Sequence, residues 1–272
     1  MTEHNTIKIG YDLDVYEKYN LKLPISIPLQ KCPHWLICGN SGSGKSYLTL
    51  MLLRNVLKEF QEDVRLWIMD FKSSEDFSFL KGYSRYYCGA DCENGLEDFY
   101  SEYQKVKNQE PKDNVLRLII FDEWAGFQIW ETQRNKKQAE KYKGYLLEIL
   151  LMGRSMMCGA WVIMQRNDAK YIDGREQFFV TVALGKMSRE FKQMIMQGED
   201  LEQRAAYSCG EGIIRADSIG TKFLKVPKLR SMERVRQEIS ERLTSAGDAG
   251  GVEGARQGGT PTPSITGGCS KC

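Results

Sequence analysis

The stretch Gly39-Asn40-Ser41-Gly42-Ser43-Gly44-Lys45-Ser46 satisfies G-x-x-x-x-G-K-[ST] at every fixed position, and it constrains the rest of the chain more than any other feature. Its glycines let the backbone close into a cradle of N–H groups around the α- and β-phosphates of a nucleotide, because a Cβ there would block the turn or the close approach. Lys45 is placed to reach the β- and γ-phosphates, and the Ser46 hydroxyl to bind Mg²⁺. The candidate nucleotide-binding residues are therefore Gly39, Asn40, Ser41, Gly42, Ser43, Gly44, Lys45 and Ser46. A Gly-Ser linker leading into a core helix is the competing reading, and the flanks argue against it. Upstream, Trp35-Leu36-Ile37-Cys38 suits a buried parallel strand; downstream, 46–60 has helix length with neither Gly nor Pro. That helix is apolar nearly all round, at Leu48, Leu50, Met51, Leu52, Leu53, Val56 and Leu57, which predicts a position between a sheet and a further layer.

A second apolar run, Leu116-Arg117-Leu118-Ile119-Ile120-Phe121, delivers Asp122 and Glu123 at its C-terminal end. In parallel α/β sheets ligands gather at the carboxyl ends of strands, which puts these acids beside the loop. Asp122 would then hold Mg²⁺, usually through water, and Glu123 would polarise the attacking water as general base. Acids also follow strands for no chemical reason; the loop upstream favours the functional reading. Further strands are expected at 64–70, 84–88, 160–164 and 178–184, and helices at 94–107, 145–157 and 188–197. Gly212 to Arg215 and Thr221 to Val226 read as a closing hairpin. The alternation predicts an α/β fold with a mainly parallel sheet between helices. Gln165 ends the 160–164 strand, where it either reports the γ-phosphate or caps the strand.

Around this core, 31–230, the ends are simpler. Residues 1–30 alternate at Ile7 and Ile9 and again at Leu21, Leu23, Ile25 and Ile27, around Pro24 and Pro28, as short strands strapped to the core edge would. A charged amphipathic helix is expected over 231–244. From 245 to 272 the chain is glycine-rich with no aromatic residue, too poor in apolar surface to order itself, so a flexible, disordered tail is predicted. It ends in Cys269 and Cys272, spaced both as C-x-x-C and as a prenylation signal, but without aliphatic middle residues or partner ligands.

Charge narrows the partners. Lys plus Arg number 38 and Asp plus Glu 36, a net charge of +2, so no global basic field advertises nucleic acid and any such contact needs a local patch. Residues 132–144 supply Arg134, Lys136, Lys137, Lys141 and Lys143 against Glu140; they form either a solvated loop and helix start or a phosphate-tracking surface. Of the 8 cysteines, Cys32, Cys38 and Cys158 lie in or beside apolar runs, as in a reduced, cytoplasmic protein. Cys88 and Cys92 lack partner ligands, since neither His4 nor His34 has the right spacing. No apolar run approaches the roughly 20 residues that span a bilayer.

Taken together over 25–228, the chain resembles the FtsK/SpoIIIE branch of the FtsK–HerA P-loop motor ATPases. Pro33-His34-Trp35-Leu36-Ile37 resembles that family's lead-in to its phosphate loop, Asp70-Phe71-Lys72 its Asp-Pro-Lys turn, and Phe121-Asp122-Glu123-Trp124-Ala125 its acidic strand end. Gly153-Arg154 followed by Gln165-Arg166 is similar in both spacing and context. The resemblance implies a RecA-like core that uses ATP and Mg²⁺ in a homo-oligomeric ring, a hexamer, acting on DNA. It implies that Arg154 is a finger reaching a neighbouring subunit's nucleotide and that Gln165 is the sensor. Asn167 stands where the family has proline, and Gly210-Glu211-Gly212-Ile213 where it has Gly-Lys-Gly-Asp. The expectation is a short stand-alone form without membrane spans or winged-helix domain, suited to a mobile element or plasmid and recruited by an accessory or membrane protein. A protein-secretion or conjugative coupling ATPase and a nucleotide-switched adaptor are the alternatives.

Overall fold

Residues 5–110, 113–165, 171–187 and 207–245 are described by the computed structural model. In chain order the elements are β1 (Thr6–Asp12), α1 (Leu13–Tyr19), β2 (Pro24–Pro28), β3 (Trp35–Gly39), α2 (Lys45–Phe60), β4 (Val64–Asp70), β5 (Tyr86–Cys88), α3 (Cys92–Lys107), β6 (Leu116–Asp122), α4 (Trp124–Arg134), α5 (Lys136–Met152), β7 (Cys158–Met164), β8 (Val180–Leu184), β9 (Glu211–Ala216), β10 (Gly220–Lys225) and α6 (Met232–Ser245). β3, β6 and β7 are buried at every position, because their near-continuous apolar runs can be satisfied only with a layer on each face.

All ten described strands join one sheet in the order β2-β1-β10-β9-β8-β3-β7-β6-β4-β5. From β8 to β5 the pairs are parallel, and from β2 to β9, including the β8–β9 pair, antiparallel. β7 lies between β3 and β6, with Cys38 opposite Met164 and Asp122 opposite Ile163. The carboxyl ends of the loop-bearing strand, the acid-bearing strand and the strand before Gln165 thus share one sheet edge. On one face α2 and α6 bury Leu52, Val56, Val235 and Ile239. On the other α3, α4 and α5 bury Phe99, Tyr103, Phe127 and Tyr142; each large apolar side chain removed from water contributes about 1.5–3 kcal/mol.

The N-terminal strands add to the sheet edge as expected, with a helix between them that the alternation did not predict. Asp12 caps α1 by accepting from the Val15 N–H, and Asn20 ends it in the left-handed region at φ 53°. Leu21 and Leu23 are exposed rather than part of a strand; β2 starts at Pro24, where a missing N–H costs an edge strand nothing.

The basic stretch also differs from expectation. Residues 132–144 are helical, in α4 and α5, and the single break is Asn135, whose side chain accepts from the Lys137 and Gln138 N–H groups. The apolar helix expected to reach Met157 ends at Met152; a tight 3-10 turn, Gly153–Met156, and Met157 at φ 54° lead into β7. The helix expected at 188–197, Arg166, Asn167, His4 and the tail from 246 lie outside the described residues. Among the described residues no helix is long and apolar enough to cross a membrane, and no group of three or more His, Cys, Asp or Glu could hold a metal ion.

Candidate nucleotide-binding site

The turn from β3 into α2 is shaped by its glycines. Gly42 and Gly44 have φ of +75° and +100°, where a side chain would be strained. Gly44 is the N-cap of α2 and brings no side-chain hydrogen bond, so the first amides of a long helix and the positive end of its dipole remain available to an anion. Within the same turn the Ser43 hydroxyl is buried without a hydrogen-bond partner. Lys45 Nζ donates to the carbonyls of Gly39 at 2.7 Å and Asn40 at 3.0 Å; burial, and then the charge of Lys72, lowers its pKa. Amides, an orphan hydroxyl and a buried ammonium fit a polyphosphate.

Two later turns brace this loop. Gly210 N–H donates to the Ser43 carbonyl at 3.0 Å, Cys209 Sγ contacts the Gly42 carbonyl at 3.2 Å, and Asn40 Nδ2 donates to Lys186 O at 3.1 Å. Gly210, at φ +78°, is thus part of the loop's support, a role that its sequence position did not reveal.

Asp122 ends β6 in a buried position, and burial foremost pushes its carboxyl up to about 7; Asp70 and Glu123 raise it further, while Lys72 and Lys45 oppose them. Glu123 leaves the strand in the left-handed region at φ 65° as the N-cap of α4, and it ion-pairs with Lys72 at 2.5 Å. Lys72 is delivered by the turn after β4. There Asp70 Oδ2 accepts from Ser74 N–H at 2.8 Å and from the Tyr86 hydroxyl at 3.0 Å, and Phe71 packs on Phe127 and Trp130 of α4, each at 5.6 Å between rings.

A cleft of about 390 Å³ collects these groups: Ser41, Gly42, Gly44, Lys45 and Ser46 from the loop, Lys72 and Ser74, Asp122, Gln165, and Met232 and Arg236 from α6. The structure therefore brings the predicted loop, Asp122 and Gln165 to one cavity and sets Glu123 beside it through Lys72. Sequence reasoning missed the Lys72–Glu123 pair and the two α6 residues; both are contacts between distant segments that no local pattern encodes.

Arg154 is elsewhere. It lies just before β7, whereas Gln165 lies just after it. Seven strand residues at about 3.3 Å each put roughly 20 Å between the two sheet edges. Arg154 is exposed, with its guanidinium 5.3 Å from the Phe179 ring. That ring stacks on His34 at 5.6 Å, and His34 Nδ1 accepts from the Ala160 N–H at 3.2 Å. Burial, then the charge of Arg154, pushes His34 down to about 3, so the imidazole is neutral at physiological pH.

The basic residues are largely occupied. Arg134 pairs with Glu93 and Glu131 and lies over Trp130; Lys141 pairs with Glu97 at 2.6 Å and Lys143 with Glu140 at 3.0 Å. Lys136 and Lys137 are exposed on the first turn of α5.

The Asp122 environment has a measurable consequence. Between 3.8, the ordinary value, and about 7 the folded chain keeps a proton at Asp122 that the unfolded chain has lost. This group's contribution to stability is therefore fully present below 3.8 and declines as pH rises to about 7. Asp122→Asn removes the buried charge, and it is expected to raise Tm by several °C at pH 8 and by nearly nothing near pH 4. Thermal scans at both pH values check this; equal Tm values for parent and variant at pH 8 would contradict the buried-charge account.

A phosphate cradle at the β3–α2 turn, a buried acid ending β6 and Gln165 just after the strand between them define a RecA-like P-loop nucleotide-binding core. No family model matches the chain. The FtsK domain-containing protein YdcQ of Bacillus subtilis (strain 168) is 30% identical over 183 residues, 60% of this chain and 36% of YdcQ, so the chain spans about a third of that relative's length. The pCW3 conjugation coupling protein TcpA, in monomer form with ATPγS, superposes with a TM-score of 0.66 at 17% identity over 89% of this chain and 71% of TcpA. EssC (ATPases 2 and 3) of Geobacillus thermodenitrificans gives 0.68 at 13% identity, over 90% and 50%. The cytoplasmic domain of the type VII secretion ATPase EccC of Thermomonospora curvata gives 0.60 at 18% identity, over 87% and 31%. At these identities the solved structures speak to the fold. The sequence match to YdcQ and these superpositions make the core similar to FtsK-type P-loop ATPases.

Proposed function

We propose that this chain is an ATP-hydrolysing motor that works in a ring of identical subunits, a hexamer, and acts on DNA. The observation that carries the reading is the single cleft joining Lys45, Ser46, Asp122 and Gln165, with Glu123 held at its border by Lys72. The loop amides and Lys45 bind the polyphosphate. Ser46 and Asp122 would hold Mg²⁺, which when bound neutralises charge on the β- and γ-phosphates. Glu123 accepts a proton from the attacking water as its oxygen bonds the γ-phosphorus and the bond to the β–γ bridging oxygen breaks, giving ADP and phosphate. Gln165 contacts the γ-phosphate end.

Ring assembly is supported by where Arg154 sits. At the sheet edge opposite its own loop, an exposed arginine can complete a nucleotide site only on another copy. A DNA substrate is supported by YdcQ, named as an FtsK domain-containing protein. A cytoplasmic motor recruited to a membrane by a separate partner fits these similarities. TcpA, named as a conjugation coupling protein, and EccC, named as a type VII secretion ATPase, favour a second reading, a conjugative coupling or protein-secretion ATPase that moves polypeptide, and the internal pairing of Arg134, Lys141 and Lys143 favours it as well.

Steady-state ATPase with and without duplex and single-stranded DNA separates the two. DNA should stimulate turnover several-fold. The double variant Lys136→Gln/Lys137→Gln should keep basal turnover and flatten the log–log salt dependence of duplex binding by about 0.9 for each phosphate no longer neutralised. A parent that neither binds nor responds to DNA would move the polypeptide reading ahead.

A further inference from the structure

α6 docks across the nucleotide-binding helix. Val235, Ile239 and Leu243 enter the core beside α2, and Lys58 of α2 pairs with Glu238 at 2.6 Å. The segment leading into α6 is tied to the phosphate loop's own helix, since the Tyr47 hydroxyl donates to Pro227 O at 3.2 Å and accepts from the Leu229 N–H. This anchoring sets Arg236 in the wall of the cleft. One Nη reaches Asp76 at 3.3 Å, while Nε is buried with no hydrogen-bond partner. A guanidinium offers five donors in a fork suited to phosphate oxygens. A buried donor left without a partner costs stability until an acceptor arrives.

The other walls indicate the acceptor. Loop amides and Lys45 suit the α- and β-phosphates, and Asp122, Gln165 and Lys72 line the same cleft as Arg236. An arginine in that cleft adds a positive charge within the same subunit, where Arg154 cannot contribute. We propose that Arg236 binds the terminal phosphate of the nucleoside triphosphate in cis, leaving Asp76 for that oxygen, so that α6 is held more firmly by triphosphate than by diphosphate. This rests on the reading that the cleft binds nucleoside triphosphate. α6 then links the occupied nucleotide state to the C-terminal end of the core.

The test compares Kd for ATPγS and ADP, at protein concentrations where the chain is monomeric, in the full-length parent, Arg236→Gln, Asp76→Asn and Lys45→Ala. Arg236→Gln should weaken ATPγS by about 10-fold to 100-fold, the loss of one charge-assisted hydrogen bond, and ADP by less than about twofold. Asp76→Asn breaks the ion pair but keeps the guanidinium, so the preference for ATPγS over ADP should be retained. If Arg236→Gln keeps the parent's ratio, or Asp76→Asn loses it equally, Arg236 is only a brace and the inference is overturned. Lys45→Ala should bind neither nucleotide; binding like the parent's, or a parent that binds neither, rejects the nucleotide reading itself and this inference with it. Amide hydrogen exchange over 232–244 in the parent needs no variant to fold: protection should be greater with ATPγS than with ADP, and equal protection overturns the proposal.

Discussion

Glu123→Gln is expected to bind ATP as tightly as the parent and to lose turnover by about 10²–10⁴-fold, the usual worth of a positioned general base. Glutamine keeps the size and hydrogen bonding of the side chain while removing the proton acceptor, so the loss should fall on kcat and spare binding. Lys45→Ala should do the reverse at the first step, because its ammonium belongs to the phosphate cradle. The Lys72 contact at 2.5 Å sharpens the comparison. It fixes the Glu123 carboxylate beside the cleft, and Glu123→Gln also breaks that charge pair. A variant that turned over near the parent's rate in single-turnover and steady-state assays would remove Glu123 from the chemistry and leave it as the cap of α4.

Arg154→Ala carries the other large effect. Its guanidinium packs on Phe179 at the edge of the sheet opposite the phosphate loop, so nucleotide affinity of the isolated chain should be unchanged. In the assembled ring kcat should fall by about 10³–10⁵, the range found for arginine fingers. Arg154→Lys should rescue little, since a point charge cannot reproduce the planar fork. Neutral His34 and Phe179 beneath the guanidinium orient it without neutralising it.

The parts of this site that were legible in the sequence are those encoded by local pattern. The Gly-rich loop announces its own backbone, since Gly42 and Gly44 occupy conformations that other residues avoid, and the apolar runs ending in Asp70 and Asp122 stop where their strands stop. The Asn135 cap was present in the sequence too. It was obscured by the dense charges around it, which read as a solvated loop running into a helix start although Lys, Glu and Gln are good helix formers. α1 was hidden for a related reason, being a single short helix between two alternating stretches. What no local pattern carries is contact at long range. Insertion of β7 between β3 and β6 is a property of the whole sheet, and Arg236 lines the cleft beside the phosphate loop only because α6 packs on α2.

The most direct test of the central claim is to mix two inactive proteins. Subunits with Lys45→Ala have a defective loop and an intact Arg154, whereas subunits with Arg154→Ala have an intact loop and no finger. In mixed rings some interfaces join a good loop to a good finger, so ATPase activity should reappear, rising with the fraction of mixed assemblies and exceeding the sum of the two proteins alone. Activity that stays at that sum, in mixtures shown by mass to contain both subunits in one ring, would contradict a nucleotide site completed by the neighbouring copy.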